Sequence, residues 1–154
     1  MLDKILQLNK DIRYASTYSK EKSDKHGEVF TPGKLIKEMT DQLPKEVWYD
    51  PTKTFFDPCA GKGNFPIYIV ARLFACLDKS IPDEKKRVKH IIENQLYMAE
   101  LQRESAEFVN DKFSFGLGFK VNLFYGNSLE MPGDFFELSY EDRKVKYPDN
   151  CIYG

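Results

Sequence analysis

The sequence is poor in the residues that would place it among metal-binding, disulfide-linked or membrane proteins. Its 3 cysteines, Cys59, Cys76 and Cys151, form no C-x-x-C pair. Its 2 histidines, His26 and His90, lie far from each other and from the thiols in sequence, so no zinc site is expected. An odd number of thiols without disulfide-like spacing points to a reducing compartment. The start MLDKILQLNKDIRYAS places charges inside any would-be apolar core of a signal peptide, so the expected location is cytoplasmic. The longest apolar run, Phe65 to Leu77, is broken by Arg72 and is shorter than the roughly 20 residues a membrane span needs, so no membrane partner is expected. Charge of one sign is also lacking. Lys+Arg 23 against Asp+Glu 24 leave a net charge of -1, too little positive field to grip a phosphate backbone over a large footprint.

What is present suits one domain or part of one. Hydrophobic residues make up 42% and aromatics 14% of 154 residues, enough for a packed core, and charged residues at 31% give an ordinary surface. Leu2, Ile5, Leu8 and Ile12 share one face at helical spacing and predict an amphipathic helix over 3–14. Residues 16–27 are polar, lysine-rich and aperiodic, as in a connector. Thr31-Pro32 offers a capped start for a helix to about Leu43. A short strand is predicted over 54–57, then the tight turn Ala60-Gly61-Lys62-Gly63-Asn64 and a helix over 65–77. A charged helix over 83–94, a strand over 95–100, a helix over 102–112 with Ala106 and Val109 inward, and a strand over 119–125 follow. After a loop holding Pro132, Gly133 and Pro148, residues 150–153 read as a fourth strand. The alternation predicts an α/β fold with a partial parallel sheet of about four strands and flanking helices.

Ligands of such sheets bind beyond the carboxyl ends of the strands. Three features fall there: the glycine turn at 57–65, Glu100 after the second strand, and Asn127 after the third. A dinucleotide fingerprint G-x-G-x-x-G would need glycine at 66, where Pro66 stands. A phosphate-cradling G-x-x-x-x-G-K-[ST] loop would need glycine at 56 and a hydroxyl at 63, where Phe56 and Gly63 stand. What remains is a carboxylate before two glycines that allow close approach to the backbone.

Asp57-Pro58-Cys59-Ala60-Gly61-Lys62-Gly63-Asn64-Phe65 resembles the S-adenosylmethionine-binding motif of DNA adenine N6-methyltransferases of the restriction-modification type. Gly27-Glu28-Val29-Phe30-Thr31-Pro32 resembles their second cofactor motif, which in one class precedes the first. His90 to Leu101 is similar to the family's second strand with its acidic end. Gly126-Asn127-Ser128-Leu129 is similar to the stretch after strand three, with asparagine in place of aspartate. The resemblance covers residues 26–130. It implies a Rossmann-like methyltransferase fold and S-adenosyl-L-methionine as cofactor. It also implies a cofactor site made of Phe30, Thr31, Asp57, Pro58, Ala60, Gly61, Gly63, Asn64, Glu100, Leu101 and Asn127. In that site the N–H groups around Ala60 to Gly63, with Thr31 nearby, receive the cofactor carboxylate, and Asp57 faces its ammonium group. Glu100 accepts from the ribose diol, Asn127 meets the adenine edge through its carbonyl oxygen, and Phe30 or Leu101 packs on the ring.

Blander alternatives stand beside these roles. Glu100 alone is a surface carboxylate, and it comes far later after Gly63 than the about 20 residues of compact dinucleotide sites, an excess the helix at 83–94 explains as an insertion. Asn127 is a turn residue in left-handed geometry. Phe113, Phe115, Phe119 and Phe124 are core, Lys85, Lys86, Arg87 and Lys89 a solvated helix face, and Cys59 a small filler.

The family's catalytic element is Asn, Asp or Ser, then Pro-Pro, then an aromatic, after strand four. The 8 prolines here, Pro32, Pro44, Pro51, Pro58, Pro66, Pro82, Pro132 and Pro148, include no adjacent pair, so no catalytic residue is assigned. The sequence divides into an N-terminal helix and connector over 1–25 and a methyltransferase domain over 26–154, which the resemblance implies stops before the catalytic motif. The expected chain is the cofactor-binding portion of a DNA adenine methyltransferase, inactive alone. It would meet DNA through other parts and leave room for a C-terminal partner or self-association. The alternative is a non-catalytic cofactor-binding or interaction module acting with a partner chain.

Overall fold

The computed structural model describes residues 33–152 together with Asp3 and Gln7. Apart from those two residues, the helix expected over 3–14, the connector, and the motif at 27–32 with Phe30 and Thr31 lie outside the described residues. Eight elements carry the fold: α1 (Gly33–Thr40), β1 (Phe55–Asp57), α2 (Asn64–Cys76), α3 (Glu84–His90), β2 (Leu96–Glu100), α4 (Arg103–Ser114), β3 (Asn122–Tyr125) and α5 (Tyr140–Lys146). They form two compact units, one of residues up to Lys53 with Asn64–Ile91, the other of Thr54–Gly63 with the residues from Ile92 onward. Among the described residues, no helix is long and apolar enough to cross a membrane.

The first unit is helical. Ile36, Trp48, Ile67, Ile69, Val70, Leu73, Phe74, Leu77, Val88 and Ile91 are its buried apolar residues among those described. Helix α1 ends before the expected Leu43, where the Thr40 hydroxyl donates back to the Ile36 carbonyl and the chain turns away. The Asp83 side chain caps α3 by accepting from the Lys86 N–H at 2.7 Å. Lys85, Lys86 and Lys89 lie on a solvated face as expected, but Arg87 does not. It is buried, stacks 4.5 Å over the Phe74 ring, and donates to the carbonyls of Ile81, Phe74 and Pro82 at 2.7–2.9 Å. The last carbonyls of a helix have no partner within it, and Phe74 lies in the last turn of α2. A guanidinium with its forked donors satisfies that carbonyl and two of the following loop at once.

The second unit carries the sheet, parallel throughout in the order β1-β2-β3. Asp57 pairs in register with Met98, and Glu100 with Tyr125, so the three carboxyl ends lie side by side. Each strand reaches its neighbour through a helical connection, as a parallel sheet requires. This α/β architecture is consistent with a Rossmann-like methyltransferase fold, with three strands among the described residues. The fourth strand expected at 150–153 is not formed in its described part. Pro148–Asn150 is a 3-10 turn, and the Asn150 amide donates to the Tyr125 carbonyl at 2.9 Å, tying the chain across the end of β3 instead of alongside a strand. Strand β3 begins at Asn122 and not at Phe119, because the Lys120 N–H donates to the Glu93 carboxylate.

Phe113, Phe115, Phe119 and Phe124 are buried, as the core interpretation had them, and so are Ala106 and Val109. Ala99, Phe124 and Phe135 form a cluster on which Met131, Phe136, Tyr147 and Cys151 pack. A buried polar network holds the rest. The Asn122 amide donates to the carbonyls of Ile92, Glu93 and Leu96, closing the wide π turn that follows α3, and its Oδ1 accepts from Arg143 at 2.8 Å.

Candidate functional site

The loop between β1 and α2 is built from backbone requirements. Gly61 and Gly63 have φ of 55° and 85°, the left-handed region that side chains rarely adopt. Gly63 is doubly constrained, because a Cβ there would stand 2.9 Å from the Phe113 ring of α4. Gly61 differs, since a Cβ there would meet nothing within 4 Å. We expect Gly63→Ala to cost about 2–4 kcal/mol, the sum of backbone strain and overpacking. Chemical denaturation checks this, and a change below about 0.5 kcal/mol would show that Phe113 yields freely.

Helix α4 braces the loop from one side. Lys112 Nζ donates to the Lys62 carbonyl at 3.3 Å, and Lys62 Nζ sits 3.6 Å from the Glu104 carboxylate and 5.1 Å over the Phe108 ring. The loop's own N–H groups are largely committed. Ala60 donates to the Ala99 carbonyl at 3.0 Å, Gly63 to the Ala60 carbonyl at 2.8 Å, and Gly61 to Glu100 Oε2 at 2.7 Å.

Asp57 and Glu100 stand at the ends of adjacent strands in different hydrogen-bond environments. Glu100 is 8% exposed and well satisfied, its second oxygen accepting from the Gln102 N–H at 2.8 Å. Among the described residues, Asp57 accepts only from the Cys59 N–H, at 3.0 Å through Oδ1, while its Oδ2 is buried with no hydrogen-bond partner. Burial pushes the Asp57 carboxyl above its ordinary value, the Cys59 N–H opposes that, and the Glu100 charge adds to the rise. An isolated buried carboxylate oxygen is costly in water-free surroundings and suits a donor or cation.

The third strand end completes the rim. The Gly126 N–H donates to the Glu100 carbonyl at 3.0 Å, with φ of 147° at the glycine. Asn127 is extended at φ -71°, not left-handed, and its Oδ1 accepts from the Leu129 N–H at 3.1 Å. The asparagine therefore caps the 3-10 turn Ser128–Glu130 by an Asx bond. Leu101, next to Glu100, is 65% exposed, an apolar side chain at the rim. Pro58 and Cys59 are exposed on the loop, so Cys59 is not packing filler, and Asn64 opens α2. The structure thus brings Asp57, Ala60, Gly61, Gly63, Glu100, Leu101 and Asn127 to one edge of the sheet. Sequence reasoning missed the bracing side chains Lys62 and Lys112, and the stack of Arg103 on the Tyr125 ring at 5.7 Å. Only the position of these residues beside the loop or the strand ends would have marked them.

Two curated proteins are similar in sequence. An uncharacterized adenine-specific methylase of Mycoplasma pneumoniae is 41% identical over 73 residues, 46% of this chain and 17% of that protein. The type II methyltransferase M.VspI of Vibrio sp. (strain 343) is 38% identical over 61 residues, 40% of this chain and 14% of that protein. The chain thus spans well under two thirds of the relatives it matches. No protein-family model matches the chain. The resemblance seen in the motifs, to adenine-specific methyltransferases of the restriction-modification type, is matched by these two relatives.

Proposed function

We propose that the rim formed by the ends of β1, β2 and β3 is the S-adenosylmethionine seat of a DNA adenine N6-methyltransferase. One observation carries this proposal: a glycine loop, two acids of unlike environment and an asparagine converge on one strand-end edge, in a chain similar to adenine-specific methylases. The residues fit the cofactor chemically. Asp57 Oδ2 is buried and lacks a donor among the described residues, which an ammonium group supplies. Glu100 retains acceptor capacity for sugar hydroxyls, since each carboxylate oxygen takes more than one donor.

S-adenosylmethionine supplies an electrophilic methyl on a sulfonium. The chain's residues bind and orient: Asp57 anchors the ammonium end, Glu100 the diol, Asn127 the adenine edge, and exposed Leu101 packs on the ring. The Asn127 carbonyl oxygen accepts from an adenine amino group alongside its Leu129 bond. Because Ala60, Gly61 and Gly63 spend their N–H groups inside the fold, the cofactor carboxylate is met elsewhere on the loop, beside Lys62. The proline-pair element that would orient the target nitrogen is not among these 154 residues, so in this proposal the chain alone holds cofactor without transferring its methyl. DNA is the acceptor by the same proposal.

Calorimetry with S-adenosylmethionine or S-adenosylhomocysteine tests the seat, and saturable binding is expected. Glu100→Ala should weaken it by about 1–3 kcal/mol, the loss expected for charge-assisted hydrogen bonds to the diol. Equal affinity in the two proteins would return Glu100 to a purely structural carboxylate.

A further inference from the structure

We propose that Glu100 is a positioning residue as well as a sugar ligand: its carboxylate holds the Gly61 peptide in the left-handed turn from which the loop meets the ligand. Loop order and sugar recognition are then carried by one side chain. The sugar half rests on the cofactor seat proposed above; the loop half does not. The two glycines of the loop are held by different means. Gly63 is wedged against Phe113 and Val109 of α4, so packing fixes it. Gly61 has open space where a Cβ would be, and its φ of 55° is one of several conformations a glycine visits freely. Its N–H bond to Glu100 Oε2, at 2.7 Å, spans 39 residues of sequence and is the contact that selects this conformation.

The geometry of Glu100 makes it an effective pin. It is more than nine-tenths buried, its own carbonyl accepts from Gly126, and its other oxygen accepts from Gln102 at the start of α4. One carboxylate thus ties the β1 loop to the beginning of the helix that braces it. Both bonds are charge-assisted and stronger than neutral ones. Hydroxyls of a sugar can donate to the remaining lone-pair positions without releasing Gly61.

Glu100→Gln separates the roles, because an amide offers one accepting oxygen and turns an NH2 toward the other donor. Hydrogen exchange followed by NMR on the ligand-free chain should show the Gly61 amide exchanging at least about tenfold faster in the variant, with Val109 and Phe113 of α4 unchanged. Unchanged exchange at Gly61 overturns the loop role, whatever happens to affinity. Should the variant not fold, the wild-type chain still decides. Its Gly61 amide should exchange as slowly as the Gln102 amide held by the same carboxylate, and a Gly61 amide exchanging at the rate of an unstructured chain overturns the loop role. Binding of adenosine against 2′,3′-dideoxyadenosine reads the sugar half. Wild type should prefer adenosine by about tenfold and the variant should lose that preference, whereas a preference kept in the variant overturns it. A chain that ignores S-adenosylmethionine yet shows the Gly61 exchange effect removes the cofactor seat and leaves the loop role standing.

Discussion

Arg143→Met should cost the protein about 3–5 kcal/mol through the acceptors it leaves without a donor, a larger loss than that expected of Gly63→Ala. Arg143 is the one buried residue of α5, 7% exposed. Its Nε donates to the carbonyls of Phe135 and Leu138 at 2.9 and 3.1 Å. One terminal nitrogen donates to Asn122 Oδ1 at 2.8 Å, the other to the Phe136 carbonyl at 3.3 Å. Burial works against its charge and draws its pKa below the ordinary value, while Tyr97, Cys151 and Tyr140 act in the opposite direction. The guanidinium also lies 5.6 and 5.2 Å over the rings of Phe135 and Phe136, so Met recovers the apolar contact but none of the donors. Four acceptors would then lose their donor from this side chain, each costing about 1–3 kcal/mol if buried and unmet, with partial relaxation reducing the sum. Against a typical total of roughly 5–15 kcal/mol this is a large fraction. Urea denaturation followed by circular dichroism would measure it. A shift below about 1 kcal/mol would mean that water reaches these carbonyls. Asn122→Leu should be strongly non-additive with Arg143→Met, because each removes the partner of the other.

The same arginine shows where sequence inspection stops. Helix α5 has one inward residue, and that residue is charged, so no apolar periodicity announces it. Its signal was the cap: the Ser139 Oγ accepts from the Asp142 N–H at 3.1 Å and donates to the Asp142 carboxylate at 2.6 Å. Pro132, Gly133 and Pro148 around it made the whole segment look like loop. The buried role of Arg87 is hidden for a related reason, since it depends on one carbonyl left over by α2 and two of the loop after it, which no pattern in 83–94 encodes. The β1 loop, β2 and α4 were legible because glycine punctuation and apolar spacing act locally there. Asp57, Glu100 and Asn127 were legible as a group because a parallel sheet forces strand ends to one rim, so chain order alone aligns them. That Glu100 turns back to Gly61 was not legible, because the spacing shows only that the acid follows the strand.

Asp57→Asn should weaken binding of S-adenosylmethionine at neutral pH by about 2 kcal/mol, roughly thirtyfold, and should flatten its pH dependence in the acidic range. Among the described residues, nothing donates to the Asp57 Oδ2. In the ligand-free protein this carboxyl is harder to ionise than in the unfolded chain, where its ordinary value is 3.8, chiefly because burial removes water and then because Glu100 repels the charge. The folded state therefore holds the proton to higher pH than the unfolded state does. Stability contributed by the protonated form is fully present below the unfolded value and is lost as pH rises through the raised folded value. Asp41, Asp50 and Asp134 have lowered values and act with the opposite sign, losing their contribution as pH falls. The difference between wild type and Asp57→Asn isolates the one carboxyl. Whatever constant offset the amide introduces, wild type should lose stability relative to the variant as pH rises from about 4, until Asp57 is ionised in the folded state. A cationic ligand group at Oδ2 favours the ionised form, so wild-type affinity should climb across the same interval and then level, with proton release measurable by calorimetry in two buffers of unlike ionisation enthalpy. Parallel stability and affinity profiles for the two proteins would show that Asp57 ionises normally and that no positive group docks on it.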